Sequence, residues 1–488
     1  MRSPDSGPVR WIDGRIPITI RRVNSLWESL GPAQLNRAAS LHGRTRSVSL
    51  AELRTNSTLG AHLESLRGRV VLLATREQLP TALALVELDG IARRLVLCTP
   101  DLTPAQLAEV AAAAEADAIV MEPGAAIEPP AGPLRCWTST RPEPVTALVP
   151  LARETATCTE WVLLTSGTTG NPKLVSHTFQ SLSGTLPRQA AGNEPVVWST
   201  FYDIRRYGGL QMFLRAIVAG TEFVLSSADE PVEEFLGRAA AAGVTHISGT
   251  PSHWRRALMS GAARRIQPRY VRLSGEIADQ AVLDNLRRAY PDARISHAFA
   301  STEAGVAFDV DDGLAGFPAT FVTAARAGVE MKVVDGTLRI RSERNARRYL
   351  GSDAAALSGD DGFVDTGDLV ELVGERYHFR GRRGGVINVG GLKVHPEEVE
   401  SVLNADPRVR MSLVRSRRNP ITGAVVVADI VLAAPETAAA DPGAAEQVKS
   451  ELIGSCRRIL AAHKVPTQLR FVPTLEMTAA GKLVRPNA

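Results

Sequence analysis

Short apolar segments alternate with longer helix-forming segments along the first half of the chain, and this alternation restricts the fold more than any other feature. Apolar runs at residues 70–74 and 94–98 predict buried strands, and residues 80–88 between them predict a helix. Strands that alternate with helices build parallel sheets with helices packed against their faces. The first half of the chain is therefore predicted to be α/β.

The alternation resumes after a proline-rich stretch at residues 122–150 and predicts a second α/β unit. Between residues 327 and 377, short alternating segments separated by Gly and Asp predict antiparallel β structure. A separate unit of mixed helices and strands follows, so the predicted domains are 1–383 and 384–488. At 488 residues the chain is too long for one ordinary core, which agrees with this division.

Composition excludes several classes of protein. The formal charge is +4 from 56 basic and 52 acidic residues, without the basic block typical of nucleic-acid binding. No apolar run reaches the length of a signal peptide or membrane span, so we expect a soluble cytoplasmic protein. The four cysteines lack CxxC spacing and are predicted to be reduced packing residues: Cys98, Cys136, Cys158 and Cys456. Only six basic residues are lysines, which makes each lysine informative.

A string rich in hydroxyls and glycine follows the predicted strand at residues 161–164 and ends in a lysine. Glycines let the backbone N–H groups approach a polyanion, and the lysine adds a point charge. The string lacks the GxxxxGK[ST] pattern of P-loop NTPases. It therefore predicts a phosphate cradle of another kind, with a flexible surface turn as the alternative. Its predicted phosphate-binding residues are Thr165, Ser166, Gly167, Thr168, Thr169, Gly170 and Lys173.

This string resembles the signature loop of the adenylate-forming superfamily, which includes acyl-CoA synthetases, nonribosomal peptide synthetase adenylation domains and luciferases. Further elements resemble that family in the expected order: residues 298–303 its Y-G-x-T-E element, 363–369 its T-G-D element, and 478–485 its C-terminal catalytic loop. The resemblance implies a large N-terminal domain of two α/β subdomains plus a β-rich subdomain, followed by a small mobile α+β domain.

The resemblance also assigns roles to residues. Glu303 is implied to hold Mg²⁺ and Thr302 to bond the α-phosphate, and a carboxylate is a natural ligand for that ion. Asp368 and Arg382 are implied to bind the ribose, and Lys482 to bridge the substrate carboxylate and the phosphate. Other residues implied to contact the nucleotide are Gly275, Glu276, Phe299, Ala300 and Ser301. Without the family context, the Thr-Glu pair is more typical of a helix cap and the terminal Gly-Lys of a solvated tail, and the T-G-D element is also compatible with a β-turn.

The implied reaction uses ATP and Mg²⁺ to convert a small aryl or short acyl acid into an acyl-AMP, releasing pyrophosphate. The acyl group then passes to the thiol of CoA or of a carrier protein, which is expected to act in trans. Rotation about Gly384 and a thiol path along Gly390 and Gly391 are implied for that step. Asn388 stands where many CoA ligases have a lysine, and Lys393 follows a few residues later.

The acid pocket is implied to include Tyr202, Arg206, Gly209, Ser248 and Ser274. Arg206 occupies a position where many relatives carry histidine, and it favours a second anion such as a second carboxylate. Two solvated arginines, Arg205 and Arg206, are an equally compatible interpretation. Asp203 is considered as a ligand for a substrate amine.

Two other functions stay open at this point. Asn388 and Arg206 leave room for an ATP-dependent diazotase that activates nitrite for transfer to an aryl amine. A non-catalytic nucleotide-binding regulator on the same fold is the third hypothesis. His177, directly after the phosphate cradle, is interpreted as a structural histidine.

Overall fold

The computed structural model describes residues 25–30, 40–54, 56–124, 132–138, 143–144, 157–165, 172–183, 186, 194–227, 229–351, 356–420, 422–434, 442–478 and 481–485. The helices are α1 (Leu26–Ser29), α2 (His62–Ser65), α3 (Gln78–Leu88), α4 (Pro104–Ala114), α5 (Phe179–Ser183), α6 (Tyr207–Ala219), α7 (Val232–Ala241), α8 (Pro251–Ser260), α9 (Gln280–Ala289), α10 (Thr320–Thr323), α11 (Pro396–Asn404) and α12 (Pro442–Ile459). Within these ranges no helix combines the length and apolar character needed to cross a membrane.

The strands of the N-terminal part are β1 (Ser40–His42), β2 (Ser47–Ser49), β3 (Asn56–Ser57), β4 (Val70–Leu73), β5 (Arg94–Leu97), β6 (Ala118–Met121), β7 (Leu134–Trp137), β8 (Glu143–Pro144), β9 (Glu160–Thr165), β10 (Lys173–Thr178), β11 (Val197–Thr200), β12 (Glu222–Val224), β13 (His246–Gly249), β14 (Tyr270–Ser274), β15 (Arg294–Ser301) and β16 (Gly305–Val310). Those that follow are β17 (Phe317–Pro318), β18 (Val329–Val334), β19 (Thr337–Ser342), β20 (Arg348–Leu350), β21 (Val364–Val373), β22 (Arg376–Arg382), β23 (Ile387–Val389), β24 (Leu392–Val394), β25 (Val409–Asn419), β26 (Gly423–Leu432) and β27 (Gln468–Phe471).

Two large sheets dominate the N-terminal part. The first has the order β20-β10-β9-β5-β4-β6-β7, in which β9 to β7 run parallel. The second has the order β16-β15-β14-β13-β11-β12-β1-β2, parallel from β15 to β1 with an antiparallel strand at each edge. Parallel strands covered on both faces need apolar side chains on both faces, as the fully buried β4 shows.

The largest hydrophobic core lies between the two sheets and encloses α3 and α6. A second core packs α7, α8 and α9 on the outer face of the second sheet, and a third packs α4 on the outer face of the first. The N-terminal part is therefore a stack of helix, sheet, helix, sheet and helix layers. The predicted pair of α/β subdomains is confirmed.

Two smaller units complete the fold. A five-stranded antiparallel sheet, β17-β22-β21-β19-β18, has its own core around Phe308 and Phe317. Beyond it, β23 and β24 form a ribbon, and β25-β26-β27 form a sheet that packs against α11 and α12. The predicted β-rich subdomain and small α+β unit are both present. The α+β unit, which includes β23 to β27 with α11 and α12, is called the lid below.

Two sequence-based expectations need correction. The proline-rich stretch predicted as a spacer contains β7, which extends the first sheet by pairing with β6. Its short sequence has no alternation, so its strand conformation depends on the neighbouring strand. Cys158 is exposed, so the packing role predicted for all four cysteines is wrong for this one. The other three are buried as predicted, and all four thiols are free.

Candidate active site

Lys482 lies in a tight hairpin of the lid. Met477 and Leu483 pair as an antiparallel bridge across its base. The Thr478 N–H donates to the Lys482 carbonyl at 2.7 Å, and the Gly481 N–H donates to the Thr478 carbonyl at 2.8 Å. Gly481 has a φ of +68°, in the left-handed region that favours glycine. The local sequence thus forms a defined turn that presents the lysine.

Hydrogen bonds with Thr250 and Glu276 dock this hairpin onto the N-terminal part. The Thr250 hydroxyl, which caps α8, donates to the Gly481 carbonyl at 2.8 Å. The Glu276 carboxylate accepts the Leu483 N–H at 3.1 Å and the Ser252 N–H at 2.9 Å. Because Ser252 lies in the first turn of α8, the positive end of that helix stabilises the carboxylate. Glu276 therefore joins the lid hairpin to the helix start, a role that sequence reasoning missed.

The Lys482 ammonium group is placed beside Gly275. A Cβ atom on Gly275 would lie 3.4 Å from Lys482 Cε and 3.9 Å from Nζ, so the glycine leaves room for the lysine stem. Lys482 is exposed, and partial loss of hydration lowers its pKa; Glu276 opposes this shift and Arg382 adds to it. A poorly hydrated ammonium binds an arriving anion more strongly than a fully solvated one.

Asp368 and Arg382 are cross-strand partners on β21 and β22. Arg382 Nε donates to Asp368 Oδ1 at 3.1 Å, and Nη2 donates to the Thr366 carbonyl at 3.2 Å. The neighbouring carboxylate raises the pKa of Arg382. Only 18% of the Asp368 side chain is exposed, against 65% for Arg382, so the pair offers a fixed carboxylate beneath an accessible guanidinium.

Glu303 lies in the turn between β15 and β16, near the predicted phosphate cradle. The Tyr349 hydroxyl donates to Glu303 Oε1 at 3.3 Å, and Lys173 Nζ lies 5.5 Å from the Tyr349 ring centroid. Thr165 and Lys173 are directly paired on β9 and β10, which brings the two ends of the cradle together. The intervening predicted residues lie outside the described ranges: Ser166, Gly167, Thr168, Thr169 and Gly170.

The surroundings of Glu303 suit a Mg²⁺ ion shared with phosphates. Within the described part of the chain, no three His, Cys, Asp or Glu side chains cluster as a metal site. Glu303 would therefore supply a single carboxylate, which is a common arrangement when phosphate oxygens and waters complete the shell. Burial, and secondarily Glu303, raise the pKa of Tyr349 to about 12, so its hydroxyl stays a donor at neutral pH.

His177 supports Thr302 from behind. The buried imidazole donates from Nε2 to the Thr302 carbonyl at 2.7 Å, and Nδ1 lies 3.1 Å from Ser181 Oγ. Burial lowers the pKa of His177 to about 4, so the ring is neutral at pH 7. The structural interpretation of this histidine agrees with these contacts, and its position after the cradle was the available signal for its closeness to Thr302.

The buried state of His177 predicts a loss of stability in mild acid. The unfolded chain has a histidine pKa of about 6.5, whereas the folded value is about 4. Between these values the unfolded chain binds more protons, so stability falls as the pH drops, by about 3 kcal/mol in total for this residue. We expect His177→Asn to flatten the pH dependence of the unfolding free energy between pH 6.5 and 4, measured by urea denaturation.

Burial also lowers the pKa of His246 and His253, so these residues contribute to the wild-type slope as well. The difference in slope between wild type and His177→Asn isolates the contribution of His177. His463→Asn in the lid provides the control and should keep the wild-type slope. A His177→Asn variant with an unchanged slope would show that the histidine does not carry the effect.

The predicted acid-pocket residues meet beneath α6 on one face of the second sheet. The Tyr202 hydroxyl donates to the Ser274 carbonyl at 2.6 Å, and Ser248 Oγ donates to Thr200 Oγ1 at 2.9 Å. All four residues are buried. The structure therefore brings Tyr202, Ser248 and Ser274 together among buried hydroxyl groups.

The charged residues before α6 have partners that the sequence did not reveal. Arg206 Nη2 lies 2.9 Å from both carboxylate oxygens of Asp101, so its charge already has a counterion. Arg205 is fully buried and bonded to Asp203, which corrects both the solvated-arginine interpretation and the amine-binding role of Asp203. A Cβ atom on Gly209 would lie 2.2 Å from the Asp203 carbonyl oxygen, so this glycine permits a close backbone approach.

The segment from Phe299 to Ser301 contributes packing as well as position. Phe299 stacks against Phe379 with ring centroids 5.1 Å apart, within the core of the β-rich unit. A register shift between Phe299 and Ala300 redirects the strand. Ser301 Oγ accepts a backbone N–H at 2.9 Å in the turn that holds Glu303. These contacts hold the strand end in place.

The predicted hinge and thiol-path glycines lie on the lid side. Gly384 lies in a short 3₁₀ turn, Arg383–Gly385, with open space where a Cβ atom would be. Gly390 and Gly391 have φ values of +58° and +88° in the turn between β23 and β24. Asn388 Oδ1 accepts the Gly391 N–H at 2.8 Å. The backbone conformation of this turn therefore requires both glycines, independently of the predicted thiol path.

Comparisons with known proteins agree with this architecture. A family model described as AMP-binding enzyme matches residues 33–345, and one described as AMP-binding enzyme C-terminal domain matches residues 398–482. The chain is 28% identical over 337 residues to a 2-succinylbenzoate–CoA ligase of Listeria innocua serovar 6a. That alignment covers 66% of this chain and 68% of the relative.

Solved structures share the fold across nearly the whole chain. Amide bond synthetase McbA from Marinactinospora thermotolerans superposes with a TM-score of 0.75 at 21% identity, covering 94% of this chain and 98% of that one. O-succinylbenzoate coenzyme A synthetase (MenE) from Bacillus subtilis, in complex with ATP and magnesium ion, superposes with a TM-score of 0.73 at 21% identity and the same coverage. At these identities the likeness concerns the fold.

Proposed function

The chain belongs to the AMP-binding enzyme family and is an AMP-forming ligase that uses ATP and Mg²⁺; we propose that it activates an aromatic carboxylic acid and transfers it to CoA. The relatives named 2-succinylbenzoate–CoA ligase support an aromatic acid and CoA. The observation that carries the proposal is the docked hairpin, which places Lys482 beside Gly275 and within electrostatic reach of Asp368.

In the proposed first step, the substrate carboxylate attacks the α-phosphate of ATP and pyrophosphate leaves. Two anions must approach each other, so positioning and charge compensation supply most of the rate enhancement. Lys482 provides a positive charge next to the acid pocket, and Lys173 provides a second at the phosphate cradle. Thr302, held by His177, offers its hydroxyl to the α-phosphate.

The remaining residues hold the nucleotide. Asp368 accepts hydrogen bonds from the ribose hydroxyls, and Arg382 fixes that carboxylate from the adjacent strand. Glu303 is the protein ligand for Mg²⁺, which neutralises charge on the phosphates when bound. Tyr349 orients the Glu303 carboxylate.

We further propose that the lid, residues 384–488, rotates about Gly384 between the two steps. Lys482 would then leave the site and the Gly390–Gly391 turn would approach it. The Thr250 and Glu276 hydrogen bonds that hold the hairpin can break and re-form, and open space around Gly384 permits backbone rotation. Such hinges need only a few residues that change backbone angles.

A substitution at Gly481 tests whether the docked hairpin is the active arrangement. A Cβ atom there would lie 1.8 Å from His253 Cε1, so Gly481→Ala prevents close docking. Overpacking of this kind costs about 1–3 kcal/mol, so we expect pyrophosphate release to slow roughly tenfold. Gly423→Ala is a matched control, because its φ is +73° but a Cβ atom there meets open space. Equal rates for the two variants would contradict the docking model.

The two other sequence-based hypotheses gain no support. The relatives named 2-succinylbenzoate–CoA ligase are acid–CoA ligases rather than diazotases. A passive AMP-binding regulator has no need of a lysine docked at the acid pocket.

Pyrophosphate release with a panel of aromatic and short aliphatic acids tests the proposal, with CoA or an amine as the acceptor. We expect release with at least one aromatic acid, and thioester formation that depends on CoA. The absence of release with every acid would reject the acid-activation step, whereas an acyl-AMP captured by the amine but not by CoA would reject the thiol acceptor.

A further inference from the structure

A cleft of about 600 Å³ lies between the lid and the helices on the outer face of the second sheet. Its wall on the N-terminal part includes α8, α9 and the 3₁₀ turn Ala262–Arg265, and its lid wall includes β25. This volume suits a small organic molecule, and such sites often lie between domains. We call it the arginine cleft and define it by Arg255, Met259, Arg264, Arg288, Val409 and Arg410.

The arginine cleft is positively charged. Four of its lining residues are arginines, and the described lining contains no aspartate or glutamate. Arg255 is buried and has its counterion in Asp279, which also caps α9 by accepting the Val282 N–H at 2.9 Å. The charge of Arg255 is therefore compensated, and the excess comes from the other arginines.

Arg264 and Arg288 supply this excess. Both are exposed, and neither is paired with a carboxylate among the described residues. Arg288 donates instead to two neutral groups, the Asn285 side chain and, at 3.4 Å, the Asp284 carbonyl. A guanidinium without a counterion keeps charge and N–H donors for an arriving anion, and its planar fork matches phosphate oxygens.

Apolar side chains line another part of the arginine cleft. Leu258 and Met259 lie on α8 and are partly buried, and Val409 faces them from the lid. The flexible Met259 side chain can adapt to an organic group. The cleft therefore offers positive charge and an apolar surface next to each other.

The two walls of the arginine cleft belong to parts that the proposed lid rotation would separate. Arg410 Nη2 donates to the Met259 carbonyl, and Asn404 Nδ2 donates to Asp279 Oδ2, each at a long 3.4 Å. Hydrogen bonds of this length are weak. A ligand that contacts both walls binds the docked arrangement more strongly than one with the walls apart, so it shifts the lid toward docking.

We propose that the arginine cleft binds a diphosphate group, carried by a nucleotide or free as pyrophosphate, and that the bound ligand holds the lid in the docked arrangement. Arginines on separate segments can contact more oxygens than one carboxylate offers, which favours a diphosphate. The binding site rests on the cleft alone. Its effect on the lid rests on the proposed function, which includes the rotation.

Calorimetric titration of the full chain tests the binding, with uridine diphosphate and inorganic pyrophosphate as probes. EDTA is present, because the proposed active site binds phosphates together with Mg²⁺. The double variant Arg264→Gln/Arg288→Gln should raise the Kd of the tighter probe about tenfold or more, since charge-assisted hydrogen bonds are lost. Arg265→Gln is the matched control, because this exposed arginine lies outside the cleft lining and should keep the wild-type Kd.

The two probes distinguish the sources of the diphosphate. Tighter binding of uridine diphosphate would assign the site to a nucleotide, and tighter binding of pyrophosphate to the free anion. No saturable binding of either probe, or equal Kd values in the wild type and the double variant, would overturn the inference and leave the proposed function intact. Should the double variant not fold, Met259→Glu decides: the added negative charge should raise the Kd, and an unchanged Kd would overturn the inference.

Transfer from a supplied acyl-AMP to CoA tests the effect on the lid. The tighter probe at saturation should slow transfer about threefold or more in the wild type and leave the double variant unaffected, because the coupling requires the cleft. Equal slowing in both proteins would assign the inhibition to the active site and overturn the effect on the lid. Absence of transfer without any probe would reject the proposed function, while the titration would still decide the binding site.

Discussion

Lys482→Ala is expected to slow ATP-dependent pyrophosphate release by about 10²–10³-fold, the usual effect of removing one preorganised charge from a reacting phosphoryl or acyl group. The lysine lies in a hairpin that Thr250 and Glu276 hold against the N-terminal part, and these hydrogen bonds fix its position. Partial loss of hydration lowers the pKa of Lys482, and a less hydrated ammonium attracts anions more strongly. Single-turnover measurement of pyrophosphate release at saturating ATP and acid checks this prediction.

Lys449→Ala is the matched control, because that lysine is paired with Glu446 on the lid helix α12 and should keep the wild-type rate. Transfer from a supplied acyl-AMP to CoA should change by less than about threefold in Lys482→Ala, since the proposed rotation removes the lysine before that step. A rate of pyrophosphate release within tenfold of the wild type would contradict the assigned role. A parallel loss in both half-reactions would instead point to general damage of the lid.

The sequence predicted the layered part of the fold because its determinants are local. Apolar runs such as the one that forms β4 have few alternatives to burial. The strand β7 escaped prediction because Leu134–Trp137 carries no alternation and forms a strand through pairing with β6. Local pattern therefore indicated the elements, while edge strands depended on neighbours far away in the sequence.

The functional site, like the fold, could be predicted from local sequence only in part. Lys482, Asp368 and Glu303 were predicted from motif order, and Arg382 lies within electrostatic range of all three. The partner of each charged residue was not predictable, because Asp101 is separated from Arg206 by 105 positions and Glu276 from Leu483 by 207. Adjacent arginines in the sequence therefore gave no indication that one would be buried and the other paired at the surface.

Arg272 shows most clearly that local sequence does not reveal the partners of a residue. Within its strand it stands between Val271 and Leu273, whose side chains belong to the opposite, apolar face. Its sequence neighbours therefore suggest only a core strand with one unusual residue. The pairing with Asp309 and the approach of Arg215 become visible once the strand order is known. The surroundings of Arg272 thus depend on sheet register more than on local sequence.

Glu303→Gln is the second substitution with a large expected effect. We expect it to slow pyrophosphate release about 10²-fold and to raise the Mg²⁺ concentration needed for half-maximal rate at least tenfold, because a charge that stabilises the metal on the phosphates is lost. The glutamine side chain has the same shape and can still accept the hydrogen bond from Tyr349, so the turn should keep its position. The variant therefore changes the charge with little change in geometry.

Two measurements separate a metal ligand from a structural acid. Calorimetric titration should show weaker binding of ATP in the presence of Mg²⁺ and unchanged binding in its absence, which a general loss of structure cannot produce. Glu330→Gln, which removes an exposed carboxylate paired with Arg341 in the β-rich unit, should leave both titrations unchanged. If Glu303→Gln retains the wild-type Mg²⁺ dependence, the single-carboxylate metal site is wrong, and the ion must be held by the phosphates and the cradle residues between Thr165 and Lys173.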